Sequence, residues 1–158
     1  MRRNRVGAGI LFSVVSAAQA QPAADVAKVS ATVAQLSPEI GRQVGELYFG
    51  IHSAVVRGDM TGVRAGCEAR QNAFKVFEPL YAPEVTGFQT QQNFDTNLRL
   101  TRQISSLLHL AMDLGVVLKT VCGAAPPSGA DLLTAYAIIS NAYGLNRQMA
   151  AELAAPAR

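Results

Sequence analysis

A chain of 158 residues that is 49% hydrophobic and only 16% charged is the length of one domain and can bury a real core. Its formal net charge of +3 raises nucleic acid or an anionic membrane as partners, but Arg2, Arg3 and Arg5 supply that excess. The other eleven basic residues, from Lys28 to Arg158, match the eleven acids from Asp25 to Glu152, so the charge argument excludes both partner classes.

The first segment reads as a secretory signal. Three arginines form its charged start, Val6 to Val15 its short apolar centre, and Ala18-Gln19-Ala20 a small-x-small cleavage site. The apolar centre is shorter than the roughly 20 residues a stable membrane span needs, and no Cys follows it to carry a lipid. Cleavage is expected after Ala20, leaving residues 21–158 as a single exported domain without a stable membrane anchor.

Alanine is abundant, tryptophan is absent, and two-residue alternation is nowhere sustained, so the pattern predicts an all-α fold. Asp25 to Leu36 reads as a weak first segment with Val26, Val29, Val33 and Leu36 at helical spacing. Ser37-Pro38-Glu39 then reads as a helix start: a hydroxyl N-cap, a proline whose missing N–H costs nothing there, and an acid at the positive end of the helix dipole. The helix from Pro38 to Arg57 turns Ile40, Val44, Leu47, Ile51 and Val55 inward; Gly58 ends it and Asp59 caps the next.

From Met60 to Glu78 the inward positions are Val63, Cys67, Arg70, Phe74 and Phe77, and Pro79 and Pro83 end or kink that helix. Five of the ten aromatics fall between Phe74 and Phe94, the least regular stretch. Leu98 to Cys122 is the longest periodic run, with Leu100, Ile104, Leu107, Ala111, Leu114, Leu118 and Val121 on one face, and is expected as the central helix, closed by Gly123. After a Pro126-Pro127 loop, Ser128 and Asp131 form a capping box for a last helix reaching about Leu153. An antiparallel four-helix bundle, with Asp25–Leu36 as a short fifth N-terminal helix, is the simplest packing.

Both cysteines sit on apolar helix faces of an exported chain, so a Cys67–Cys122 disulfide is expected. If their helices are antiparallel neighbours, the turn belongs at Phe94–Asp95, among the polar residues Asn93 to Asn97, with Pro79 to Gln92 continuing the second helix as a kinked arm.

Chemistry is sparsely signalled. There is no Gly-x-Ser-x-Gly elbow, no phosphate-binding glycine loop and no Cys-x-x-Cys-His for haem, so neither an enzyme, nor a cofactor, nor a metal is expected. His109 falls about 180° from the central stripe, facing solvent beside Asp113.

Two sets of residues remain as candidate sites. Arg70 lies on an apolar face between Cys67 and Phe74, while Asn146 sits similarly on the last helix with Tyr143 one turn away. Burial of an unpaired guanidinium is costly, so Arg70 either reaches an acid or water, or holds an anionic ligand with Tyr143 and Asn146. Phe49, His52 and Val56, with Gly45, form a second stripe on the helix from Pro38, facing away from its core side. It is either covered by the Asp25–Leu36 segment or free to bind a protein partner or a second copy. The sequence therefore points to a non-enzymatic, exported helical bundle acting as a binding or assembly factor in the periplasm. The alternative is a carrier of a small anionic ligand, or less readily haem, in the bundle interior.

Overall fold

One apolar stripe carries the first helix straight through a proline. The computed structural model describes residues 26–89 and 97–154, without the side chains of 70–74 and 89; the signal segment, its cleavage site, the Phe94–Asp95 turn and the Arg70 side chain lie outside the described residues. Helix α1 spans Val26–Arg57 with Pro38 inside it. Buried Val29, Val33, Leu36, Ile40, Val44, Leu47, Ile51 and Ala54 follow one another at steps of three and four without a break in phase. The expected short fifth helix is therefore the first third of α1.

The physical reason is a balance of magnitudes. An interior proline costs about 3 kcal/mol, whereas burying each of Val29, Val33 and Leu36 returns roughly 1.5–3 kcal/mol. Pro38 and Ala34, whose carbonyl loses its N–H partner, are both exposed, so water satisfies that group. Ser37 does not cap: its buried hydroxyl donates to the Val33 carbonyl at 2.7 Å.

Gly58, at φ +71°, ends α1 in the left-handed region, and the Asp59 carboxylate accepts the Thr61 N–H at 3.0 Å to start α2, Thr61–Phe77. The two helices touch backbone to backbone. A Cβ on Gly50 would lie 2.7 Å from the Gly62 carbonyl carbon, and one on Gly62 would lie 2.5 Å from the Gly50 Cα. Pro79 and Pro83 then break the helical run into a 3-10 turn at Glu78–Tyr81, the short helix α3 at Pro83–Thr86 and a second 3-10 turn at Gly87–Gln89. Phe77, Leu80, Val85 and Phe88 all point into the core along this arm. Lys28 meets Glu84 at 2.9 Å, so the arm runs antiparallel to α1 back to its first turn.

Helix α4, Leu98–Val121, buries every position expected of its inner stripe, together with Leu110 and Val117. His109 is exposed and lies 3.6 Å from Asp113, as its spacing requires. Helix α5, Gly129–Ala154, opens with a complete capping box: the Ser128 N–H and hydroxyl donate to the Asp131 carboxylate, and the Asp131 N–H donates back to the Ser128 hydroxyl. These bonds hold the Asp131 carboxyl below its ordinary range. Ala150 and Leu153 are exposed, because the core ends at Leu100 and Met149. There Arg99 donates to the carbonyls of Glu152 and Leu153 and satisfies the end of α5.

The fold is all-α, with no strand among the described residues. Helix α1 packs on α2 and α5, and α4 packs on α5, α1 and α2. Cys67 on α2 is bonded to Cys122 at the end of α4, with a Cα–Cα distance of 5.4 Å and a sequence separation of 55.

Two predictions follow from this packing. Gly50→Ala and Gly62→Ala should each lower unfolding stability by about 1–3 kcal/mol through overpacking, despite alanine's helix advantage of up to about 1 kcal/mol. Gly45→Ala, which meets no atom within 4 Å, should raise it; urea denaturation followed by circular dichroism reads all three. Reducing the disulfide should cost about 4 kcal/mol on the chain-entropy account of its loop. Urea midpoints with and without reductant measure that loss, and full alkylation without reductant would contradict the bond.

Candidate functional site

The seams on the two sides of α1 are built from opposite materials. Toward α2, glycines and alanines allow contact; toward α5, large rings fill the gap. Tyr48 on α1 stacks on Tyr143 on α5 with ring centroids 4.4 Å apart and planes 4° from parallel. Tyr136 lies on the other side of Tyr48 at 6.1 Å, and His52 stands 6.0 Å along α1 from the same ring. His52 Nδ1 and the Tyr136 hydroxyl are 3.2 Å apart, so the phenol donates when Nδ1 is unprotonated. The neighbouring Tyr136 hydroxyl pushes the Tyr48 phenol above its ordinary range.

Around this half-buried floor stand apolar side chains open to solvent. Phe49, edge-on to Tyr143 at 5.7 Å, is 59% exposed; Val56 is 63% and Leu133 60% exposed. Leu133, Tyr136, Ser140 and Tyr143 recur at three and four residues, so they share one side of α5. Gly45 lies one turn before Phe49, and a Cβ there would meet no atom within 4 Å.

Phe49, His52 and Val56 thus share one surface with Tyr143, which the spacing had assigned to a different site. Asn146 lies one turn further along the same seam, where its side-chain oxygen would be 3.0 Å from a Cβ on Gly41. Arg70 is on α2, which packs chiefly on α1 and α4, and its side chain lies outside the described residues. Leu133, Tyr48 and Tyr136 were missed as site residues because a single helix's periodicity does not reveal which helix faces it.

On the α2 side, α1 and α2 border a half-open cavity of about 630 Å³ floored by Gly62, Ala65 and Gly66. Its charged rim is self-contained: Arg42 donates to both Glu39 and Glu46, and Gln43 donates to Glu39 at 2.9 Å. The Arg42 hydrogen bonds, followed by that of Gln43, lower the Glu39 carboxyl from 4.5 to about 2, and the two acids raise Arg42. Ser53 reaches Asp59 at 3.5 Å, but His52, the base such a hydroxyl would need, is turned toward Tyr136. Among the described residues no group of three or more His, Cys, Asp or Glu could hold a metal ion.

No family model, curated protein or solved structure matches this chain. Function is therefore read from the surface itself.

The Glu39 shift carries a sign. Its folded pKa lies below the unfolded one, so its contribution is fully present above about pH 4.5 and is lost as the pH falls toward 2. Glu39 is about one-third exposed, and water weakens the effect without reversing it. In Glu39→Gln the loss of thermal stability between pH 4.5 and 2 should become shallower, as melting curves taken across that range would show.

Proposed function

We propose that this chain is an exported, non-enzymatic antiparallel four-helix bundle that acts as a binding or assembly factor in the bacterial periplasm, using the aromatic face between α1 and α5. One observation carries the proposal: Phe49, Val56 and Leu133 stay largely exposed around a floor of stacked tyrosines. Exposed large apolar groups gathered on one face mark interaction surfaces more often than scattered ones do. The competing explanation, a cover supplied by Asp25–Leu36, is removed by the continuity of α1, since a helix does not fold back on its own outer face. Export is supported by the charged, apolar and small-residue order of the first 20 residues and by the cysteine pairing, which suits an oxidising compartment.

A small-ligand carrier is the second reading, favoured by the cavity of about 630 Å³ between α1 and α2. An anionic ligand gains little there, because Arg42 is already neutralised by two carboxylates. The aromatic face is the better site.

Phe49→Asp tests the aromatic-face reading. The variant should stay within about 1 kcal/mol of native stability, as suits an exposed position, yet lose the partners that the native protein captures from envelope extract. A large fall in stability with capture intact would assign Phe49 to the fold instead.

A further inference from the structure

We infer that the occupant of the α1–α5 face is an amphipathic helix of another protein that places a carboxylate on Arg147. This inference rests on the face being the recognition surface. Arg147 lies one turn beyond Tyr143 on the side of α5 that carries Leu133, Tyr136 and Ser140. It is exposed and forms no ion pair or hydrogen bond among the described residues. The face is thus an apolar strip with one unanswered positive charge at one end. From Leu133 to Arg147 it extends about 21 Å at 1.5 Å per residue, the length of about four helical turns.

Three features select the occupant. The strip is open along its outer side, with its three apolar groups 59–63% exposed; a small molecule, which needs most of its surface enclosed, would be poorly held. A third helix laid in the groove between two packed helices covers such a strip along its length, and the open space at Gly45 leaves room for its approach. Charge then fixes its chemistry. A desolvated guanidinium at the end of an interface is costly unless a carboxylate meets it, ideally in a two-point pair.

A second copy of this chain does not supply that acid. Turned over in a two-fold pairing, its Val56–Leu133 end would meet Arg147. The acids at that end, Asp59 and Asp131, are engaged in starting α2 and α5. Glu39 and Glu46, which line the α1–α2 cavity together with Phe49, are already paired with Arg42.

The test uses the purified full chain and a displayed library of 18-residue amphipathic helices, with purified protein monitored in parallel by sedimentation and native mass spectrometry. Enriched peptides should carry Asp or Glu at one end. Their affinity should fall at least tenfold on Phe49→Asp and about tenfold on Arg147→Glu, and a peptide with Lys in place of its acid should regain affinity for Arg147→Glu. Gly45→Leu, which adds bulk to that open space, should block binding without lowering the melting temperature. Enriched peptides that need Phe49 but ignore the charge at 147 would overturn the carboxylate pairing and leave the face standing. Peptides indifferent to Phe49→Asp, or no enrichment at all, would overturn both. A dimer that Phe49→Asp dissociates would make a second copy the occupant, and a retained fatty acid lost in Arg147→Glu would make it a lipid; either overturns the inference.

Discussion

The contact between the backbones of Gly50 and Gly62 is the constraint from which the rest of the packing follows. With no side chain on either residue, α2 settles directly onto α1, and Leu47 covers Gly66 one turn further along. The disulfide at Cys67 then fastens α2 to the end of α4, and the proline-broken arm continues down α1 to the Lys28–Glu84 pair. One flank of α1 is thereby given to α2, with the half-open cavity beside their glycine contact. Its other flank is left to α5, where Tyr48, Tyr136 and Tyr143 fill the seam. Rings set between two helices leave their outer edges near the surface, which is why this seam borders exposed apolar side chains.

Much of this fold was legible where local chemistry and long-range packing agree. The α4 stripe, the Ser128–Asp131 capping box and the outward His109 each follow from spacing, the cysteine pairing follows from two cysteines on apolar faces of a chain read as exported, and all are found in place. Ser37-Pro38-Glu39 misled because it is a valid local start signal inside a longer pattern. Leu36 and Ile40 are four apart, so the stripe before the proline is in phase with the stripe after it. That phase was the readable clue. A cap contributes on the order of 1 kcal/mol, too little to outweigh three buried aliphatic side chains.

The candidate site was legible only in halves. Phe49, His52 and Val56 could be grouped on one helix, and Tyr143 with Asn146 on another, because periodicity orders residues around a single axis. Which helices face each other is set by the glycine contact and the disulfide, neither of which periodicity encodes. Arg70 illustrates the converse: it shares an apolar face with Cys67 in sequence, but its helix packs chiefly on α1 and α4 and not on the helix that carries Tyr143 and Asn146.

The rings of the seam support one another. Tyr48 lies between Tyr143 and Tyr136, and Tyr136 is within hydrogen-bond distance of His52. Aromatic side chains have few torsions to lose, and a preorganised surface spends little of its contact energy on ordering. Phe49 gains partial shelter from its edges against Tyr48 and Tyr143, but most of its surface still faces water. Core stability does not require that exposure, because the residues beneath it, Val44, Leu47 and Ile51, are already buried. Stacked tyrosines, an exposed aromatic above them and an unpaired arginine at one end give the face both apolar area and a charge that any covering group would have to meet.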